Sequence, residues 1–217
     1  MNTQTKKKIY VVNGGMYYAS WLIPLGFKLT NNRDEADLVF FTGGSDVTPA
    51  FYGEKEGAYV SCDPERDTEE AKEFAFFRQK HVPMIGVCRG GQFLTAMNGG
   101  KMCQHMSHPS RHETIMFDGK RLESTSTHHN QFIIDPKVTG LKEKEDFELL
   151  GWAENLSPFH LNGEDKDYNF PKDYKEPEIV FYPKSNALSI QMHPEFFDLE
   201  HETVKYLQKL FMHKLFA

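Results

Sequence analysis

Cys88 is the residue whose surroundings most clearly indicate chemistry. It lies at the centre of a Gly-x-Cys-x-Gly pattern (residues 86–90), between the apolar run 84–87 and a helical pattern that extends to Met97. Glycines on both sides of a reactive residue are typical of a tight strand-to-helix turn, where neighbouring side chains would collide. The positive end of the helix dipole favours the thiolate, the form that attacks a carbonyl carbon. The alternative is a small buried residue in a glycine turn.

A thiolate nucleophile needs a group that donates and accepts protons, and His193 is the best candidate. An apolar strand precedes it, Pro194 follows it, and Glu195 is close enough to fold back onto the imidazole. Most histidines at strand ends are incidental, but here the histidine and carboxylate accompany a nucleophile turn. The sequence therefore predicts a catalytic Cys88, His193 and Glu195.

The elements that must position these residues follow a repeated order of strand, glycine turn and helix. Strands are predicted over residues 9–12, 38–41 and 84–87, and helices over residues 17–25, 64–80 and 89–97. Asp63 is expected to cap the second helix, with Pro64 in its first turn. Apolar strands that alternate with helices are typical of a parallel sheet covered on both faces. We therefore expect an α/β fold.

The second half of the chain has a different pattern. Short strands are predicted over residues 112–117, 132–134, 147–152, 178–182 and 187–192, either extending the sheet or forming an antiparallel flap. The polar segment from Asn162 to Pro177 is interpreted as a surface insertion, either a lid or partner-docking loop or a solvated loop. A terminal amphipathic helix is expected over residues 200–216, packed on the sheet.

Composition limits the class of function. The chain has 217 residues, with 25 Lys and Arg against 31 Asp and Glu, a formal charge of −6. This balance argues against nucleic-acid binding, and no apolar run is long enough to cross a membrane. Three cysteines favour reduced thiols and a cytoplasmic protein, with Cys62 and Cys103 structural. One domain over residues 1–217 is expected.

Four blocks of the sequence resemble the class I glutamine amidotransferase superfamily, in particular its gamma-glutamyl hydrolase-like branch (peptidase C26, including gamma-glutamyl-GABA hydrolases). Residues 42–54 resemble the family's glycine-rich oxyanion loop, and residues 63–92 resemble its Arg-Asp helix and Cys-Arg-Gly turn. Residues 125–131 are similar to its Ser-x-His-His-Gln segment, and residues 191–195 to its closing motif. The resemblance implies a three-layer sandwich with a mostly parallel central sheet, the flavodoxin-like fold of that superfamily.

The resemblance also implies roles for individual residues. Cys88 would be the nucleophile, His193 the base and acid, and Glu195 the residue that orients the imidazole. The backbone amides of Gly44 and Arg89 would form the oxyanion hole.

Further positions are implied to contact the substrate. Gln92 matches the glutamine that holds the gamma-glutamyl portion, unless it is an ordinary helix-surface amide. An extra Asn130 leaves open whether His128 or His129 takes the family position, either contacting the substrate or stabilising the pocket wall. Arg66 and Asp67 are expected to brace the site rather than react.

One cluster raises the question of a metal. Cys103, His105, His108 and His112 lie within ten positions and include ligands that zinc accepts. No second pair at zinc-finger spacing follows, so a polar loop with scattered histidines is the favoured interpretation. The sequence predicts neither a metal nor a cofactor.

The function expected is hydrolysis of a gamma-glutamyl amide through a glutamyl thioester. With glutamine as substrate, the protein would release ammonia and, as an amidotransferase, deliver it to a synthetase subunit. With a gamma-glutamyl amine as substrate, it would be a stand-alone hydrolase. A binding or regulatory protein that retains the fold with little turnover is the alternative.

Overall fold

The computed structural model describes residues 7–126, 130–154 and 157–216. The strands are β1 (Lys8–Val11), β2 (Lys28–Thr30), β3 (Leu38–Phe41), β4 (Met84–Val87), β5 (Lys101–Cys103), β6 (His105–Met106), β7 (Arg111–Met116), β8 (Arg121–Thr125), β9 (Gln131–Ile133), β10 (Glu148–Glu154), β11 (His160–Leu161), β12 (Lys175–Tyr182) and β13 (Ala187–Ile190). The α-helices are α1 (Pro64–Gln79), α2 (Arg89–Met97), α3 (Pro136–Thr139) and α4 (Glu202–Phe216). Shorter 3₁₀ segments cover Met16–Leu25, Arg33–Glu35, Pro49–Tyr52, Pro183–Ser185 and Pro194–Phe196.

Within these residues, the central sheet has nine strands in the order β2-β1-β3-β4-β13-β12-β10-β7-β8. Strands β2, β1, β3, β4 and β13 pair in parallel, and we call them the parallel half. Strands β12, β10, β7 and β8 follow with antiparallel pairing, and we call them the antiparallel half. Two small sheets, β11-β6 and β5-β9, lie outside this order.

Helices cover both faces of the sheet and give it three layers. On one face, α4 and the 3₁₀ segment Met16–Leu25 pack on the strands through residues such as Trp21 and Phe211. On the other face, α1 and α2 pack through residues such as Phe77 and Phe93. All residues of β3 and β4 are buried, as expected of strands covered on both sides. The predicted α/β fold is confirmed.

Several predicted elements appear with nearly the expected bounds. The strands at residues 38–41 and 84–87 match β3 and β4, and Asp63 caps α1 by accepting a hydrogen bond from the Arg66 amide at 3.1 Å. The terminal helix is α4, and Val204, Leu207, Phe211 and Leu215, placed on its apolar face, are all buried.

Two local predictions need correction. The helix expected over residues 17–25 is a 3₁₀ helix, since Pro24 lies inside it, and Gly26 ends it in a left-handed conformation with φ 89°. The surface insertion was predicted to extend to Pro177, but β12 begins at Lys175 and Glu176 is fully buried. The two alternatives for the later strands are resolved in favour of extending the sheet for most of them, whereas the segment near Phe132 pairs with β5.

Candidate active site

Cys88 occupies a strained turn between β4 and α2. Its backbone has φ 53° and ψ −117°, a conformation that residues other than glycine rarely adopt. The glycines around it allow this geometry, because a Cβ at Gly86 would lie 2.3 Å from the Gly90 carbonyl carbon. A Cβ at Gly90 would lie 2.1 Å from the Phe41 carbonyl oxygen. Cys88 is 9% exposed and stands at the N-terminus of α2.

His193 and Glu195 follow β13, the strand next to β4 in the parallel half. The Cys88 amide donates to the Ile190 carbonyl at 2.7 Å, which ties the nucleophile turn to the end of β13. The His193 amide donates to the Thr125 carbonyl at 3.0 Å. Pro194 then opens a 3₁₀ turn, and this turn brings Glu195 Oε1 to 2.7 Å from His193 Nδ1. Nδ1 therefore donates a hydrogen bond to Glu195, and Nε2 is the ring nitrogen that faces away from this carboxylate.

The imidazole of His193 hydrogen bonds to Glu195 and lies near enough to the Cys88 thiol for the two groups to interact electrostatically. Burial alone would lower the pKa of His193, but its interactions with Cys88 and Glu195, including the negative charges of both partners, raise it to about 10. The ring also stacks on Phe196, with centroids 4.6 Å apart. The structure therefore brings together the three residues predicted to be catalytic.

The turn after β3 lies at the same end of the sheet as Cys88, because β3 and β4 are adjacent parallel strands. Gly44 in this turn has φ 147°, and a Cβ there would lie 2.2 Å from Arg66 Nη1. Only glycine fits between this backbone and the guanidinium. Arg89 contributes the first amide of α2. The expected oxyanion role of Gly44 and Arg89 stays a prediction.

Arg66 and Arg89 form a charged network with two carboxylates of α1. Arg89 is fully buried and pairs with Asp67 and Glu70, neither of which is exposed. Arg66 donates to Glu70 at 2.8 Å and to the carbonyls of Thr42 and Gly43 at 3.1 and 3.2 Å. This network joins α1, the turn after β3 and the nucleophile turn. Arg66 and Asp67 occupy the positions of braces, as the sequence suggests.

Gln92 is 2% exposed, so it is not an ordinary surface amide. Its amide nitrogen donates to Asn130 Oδ1 at 2.5 Å and to Gln191 Oε1 at 3.2 Å. Asn130 in turn donates to Asp46 Oδ1 at 2.6 Å. The extra Asn130 therefore links Gln92 to the loop after β3. Substrate binding by Gln92 stays a prediction, and His128 and His129 lie outside the described residues.

Sequence reasoning missed Tyr18, whose ring packs against the turn after β3. A Cβ at Gly43 would lie 2.8 Å from the Tyr18 hydroxyl, and the Tyr18 ring centroid is 6.2 Å from that of His193. Burial and the negative charges of Cys88 and Glu195 raise the pKa of Tyr18, against the opposing effect of Arg66. The neighbouring Tyr17 hydroxyl donates to the Glu195 carbonyl at 2.7 Å. Two adjacent tyrosines in an apolar run give no sequence signal of these contacts.

Comparison with known proteins shows which family the chain belongs to. The family model described as Peptidase C26 matches residues 22–140, slightly more than half of the chain. The chain belongs to the peptidase C26 family. The resemblance to the class I glutamine amidotransferase superfamily is thereby confirmed, and this peptidase C26 member is glutamine amidotransferase-like.

Individual relatives either match shorter stretches of this chain or match it at lower sequence identity. The glutamine amidotransferase-like protein YvdE of Lactococcus lactis is 39% identical over 75 residues, which cover 34% of this chain and 32% of that protein. The carbamoyl phosphate synthase small chain of Campylobacter jejuni is 24% identical over 218 residues, 96% of this chain and 50% of that one. The chain thus spans about a third or less of the first curated relatives that it matches.

A solved structure supports the fold of this peptidase C26 member. The PurLQS structure from Thermotoga maritima superimposes with a TM-score of 0.59 at 15% identity, covering 97% of this chain and 99% of the compared chain. At that identity the likeness concerns the fold alone. Within residues 7–126, 130–154 and 157–216, none of the helices has the length and apolar character needed to cross a bilayer.

Proposed function

We propose that the protein hydrolyses a gamma-glutamyl amide through a glutamyl thioester on Cys88. The observation that carries the proposal is the strained Cys88 turn beside an imidazole that Glu195 holds at 2.7 Å and on whose pKa the Cys88 thiol acts directly. An immobilised nucleophile, a proton carrier and an orienting carboxylate are the groups that acyl transfer needs. The family assignment favours this chemistry.

In the first half of the reaction, the Cys88 sulfur attacks the amide carbon and the carbonyl oxygen gains negative charge. The amides of Gly44 and Arg89 stabilise this charge, and a lost donor of this kind typically costs about 3 kcal/mol of transition-state stabilisation. The imidazolium of His193 gives its proton to the departing nitrogen. The raised pKa of His193, about 10, keeps that proton available at neutral pH.

In the second half, water attacks the thioester. Neutral His193 accepts a proton from the water, the carbon–sulfur bond breaks, and glutamate leaves. The Cys88 thiolate and the His193 imidazolium are then restored. Glu195 stabilises the imidazolium whenever it forms, because its carboxylate accepts a hydrogen bond from Nδ1–H.

Substrate recognition is part of the proposal. Gln92, positioned by Asn130 and Gln191, is assigned to the gamma-glutamyl portion, together with His128 or His129. The glutamine or gamma-glutamyl amide would enter over the ends of β3, β4 and β13. In open α/β sheets ligands bind at the carboxyl ends of the strands.

Glutamate release from glutamine and from gamma-glutamyl-GABA tests the proposal. We expect release from at least one substrate, and a loss of at least about a thousandfold in Cys88→Ala. Cys62→Ala is the matched control, because Cys62 is a partly exposed free thiol outside the turn, and it should keep full activity. Release that is equal in wild type and Cys88→Ala would contradict the proposed mechanism.

Delivery of ammonia to a synthetase subunit is the amidotransferase variant of the proposal. The match to a carbamoyl phosphate synthase small chain over most of this chain favours it. Glutamate release from glutamine that rises only when a synthetase subunit is added would select this variant. Release from gamma-glutamyl-GABA by the protein alone would select the stand-alone hydrolase.

A binding or regulatory role with little turnover is the second candidate. Binding of glutamine to the wild type without release of glutamate, with or without a partner, would favour it. The expected cytoplasmic location, the absence of nucleic-acid and membrane partners and the single domain over residues 1–217 remain predictions.

A further inference from the structure

A second group of buried titratable side chains lies in the antiparallel half, outside the Cys88 site. His108 precedes β7, His112 is in β7, and Glu176 and Glu178 are on β12. The side chains of the two histidines are 1% and 3% exposed, and those of the two glutamates are not exposed at all. We call these four residues the His-Glu cluster.

The donor atoms of the cluster converge at the spacing of metal ligands. His108 Nε2 is 3.4 Å from Glu176 Oε2 and 3.6 Å from Glu178 Oε1, and His112 Nε2 is 3.5 Å from Glu178 Oε1. One ligand atom from each of His108, His112 and Glu178 fits within a span of 4.8 Å. Tetrahedral zinc with bonds of 2.0–2.2 Å places neighbouring nitrogen and oxygen ligands about 3.4 Å apart.

Two of these side chains have polar atoms that point into the cluster without a hydrogen bond. Among the described residues, His112 Nε2 and Glu178 Oε2 are buried and have no hydrogen-bonding partner. A buried polar atom without a hydrogen bond has lost its contacts with water and gained none in return, which is unfavourable. A ligand between them would remove that cost.

The histidine rings are oriented as metal ligands usually are. Nδ1 of His108 lies 3.0 Å from the Pro109 carbonyl oxygen, and Nδ1 of His112 lies 3.2 Å from the same oxygen. A carbonyl oxygen only accepts, so in a neutral ring each Nδ1 would donate its proton there and Nε2 would be the nitrogen that faces the cluster. A second hydrogen bond of this kind fixes the tautomer of most metal-bound histidines.

The negative charge of the two glutamates also favours a bound cation. Glu176 and Glu178 are two positions apart on β12, so their side chains lie on one face of the strand, close to each other and away from water. Two buried carboxylates in such a place repel each other unless positive charge accompanies them. A divalent cation bound also by neutral imidazoles supplies it.

We propose that the His-Glu cluster binds one zinc ion, with His108, His112 and Glu178 as ligands and Glu176 as the fourth. Two imidazole nitrogens with carboxylate oxygens are a donor set that zinc accepts. The glutamates also have supporting partners of their own. Glu176 Oε1 accepts from the Ser157 amide and contacts His160 Nε2, both at 3.0 Å, and Glu178 Oε1 accepts from Gln131 at 3.2 Å.

The proposed zinc ligands differ from the four residues, close together in sequence, that raised the question of a metal, which were Cys103, His105, His108 and His112. The Cys103 thiol donates to the His105 carbonyl at 3.1 Å, and the His105 ring stacks on Tyr59 with centroids 3.8 Å apart. Cys103 and His105 therefore have other roles. The site needs the carboxylates of β12, which come more than sixty positions after the histidines.

The zinc ion would hold β12 against the start of β7, close to the candidate active site. Gln131, which contacts Glu178, directly follows Asn130, which contacts Gln92. The next strand, β8, supplies the Thr125 carbonyl that accepts the His193 amide. We therefore assign the metal a structural role beside the site and no step in the reaction.

Elemental analysis of wild-type protein purified from zinc-supplemented cells tests the proposal. We expect about one zinc per chain, and much less in His112→Ala and in Glu178→Gln. His213→Ala is the matched control, because His213 is exposed on α4, and it should keep the metal. Cys88→Ala should also keep it, which excludes zinc bound to the reactive thiol.

A measurement on the wild type avoids dependence on variants that fail to fold. Removal of metal with a chelator should lower the melting temperature by about 5–10 °C, and added zinc should restore it. Zinc below about a tenth of an equivalent, together with no response of the chelated protein to added zinc, would overturn the proposal. So would one equivalent of iron or manganese in place of zinc, or zinc that is lost in Cys88→Ala.

Discussion

The two halves of the central sheet bury different kinds of groups. In the parallel half, β3 and β4 are fully buried, and the backbone of β3 lies so close to α2 that Gly90 has no room for a Cβ. In the antiparallel half, β12 buries Glu176 and Glu178 beside two histidines. The first region is held by close backbone contact, and the second depends on compensating buried charge with polar partners. We therefore expect mutations in the parallel half to destabilise the protein by displacing its backbone. Mutations in the antiparallel half should destabilise it by unbalancing buried charge.

The charged network of α1 is an exception within the parallel half, because it places four charges under the nucleophile turn. Arg66 and Arg89 balance Asp67 and Glu70, so the network is neutral overall. It takes the place that apolar side chains fill elsewhere in this layer. The same principle of paired buried charge thus applies in both halves, with guanidinium groups in one and, in our proposal, a metal in the other.

The largest effect on stability is expected for Glu70→Gln. Glu70 contacts Arg66, Arg89 and Asn13, and losing its charge leaves the fully buried Arg89 with one carboxylate fewer. Removing one partner of a buried ion pair costs about 3–5 kcal/mol, so unfolding by urea should report a loss of that size. Glu69→Gln, at an exposed position of the same helix, is the control and should have little effect. Equal losses in the two variants would show that the network is not stabilising.

A pair of glycine substitutions tests the comparison of the two halves directly. In Gly90→Ala the new Cβ would meet the Phe41 carbonyl oxygen at 2.1 Å, so α2 must move away from β3. In Gly151→Ala of β10 it would meet the side chains of Met116 and Thr114 at 3.0 Å, and these can shift.

We expect losses of about 3 kcal/mol for Gly90→Ala and about 1 kcal/mol for Gly151→Ala. For a chain of this size these losses lower the melting temperature by roughly 6–12 °C and 2–4 °C, which calorimetry resolves. The reverse order would contradict the claim that backbone contact is tighter in the parallel half.

The pKa of His193 gives a pH prediction for the site. Because that pKa is raised to about 10, the protonated imidazole needed by the leaving nitrogen persists through neutral pH. Activity should therefore hold into the alkaline range and fall as pH rises through about 10. Glu195→Gln removes a hydrogen-bonding partner that raises the pKa, so the fall should move to lower pH.

Nitrogen chemical shifts of the His193 ring, followed by NMR, measure this pKa without turnover. A wild-type value near the ordinary 6.5 would contradict the described pairing with Cys88 and Glu195. An unchanged value in Glu195→Gln would contradict the role of that carboxylate. The residual activity of Glu195→Gln supplies a second, independent measure of the role of that carboxylate.

The smallest effect is expected for Arg121→Ala on the outer strand β8. Arg121 pairs with Glu113 and Glu154, but all three side chains are at least half exposed. Water and salt screen such pairs, so the melting temperature should not change measurably. A clear drop would show that surface ion pairs matter to the antiparallel half, and the contrast with Glu70 would need revision.

The parallel half could be predicted from the sequence because its signals are local. Four consecutive apolar residues define β3 and β4, and the spacing of the glycines around Cys88 defines the turn. The strand β2 was missed because it is short and exposed. In the antiparallel half β8 was missed as well, since Arg121–Thr125 alternates in burial but contains few apolar residues.

The candidate site was predictable only in part. Cys88, His193 and Glu195 carry a recognisable pattern, and the structure brings them together. The link from Gln92 through Asn130 to Asp46 joins residues 38 and 84 positions apart. Sequence patterns describe neighbours within one element, so they do not reveal such contacts. The glutamates that complete the His-Glu cluster escaped notice for the same reason.

The most direct test of the central claim is selective labelling of Cys88 by a glutamine analogue that carries a diazomethyl ketone in place of the amide. Mass mapping should find one label per chain on Cys88, with Cys62 and Cys103 unmodified and with protection by excess glutamine. His193→Gln should label more slowly, because the imidazole partner of the thiol is lost. Labelling of Cys62 instead of Cys88, or labelling that glutamine does not slow, would contradict the account.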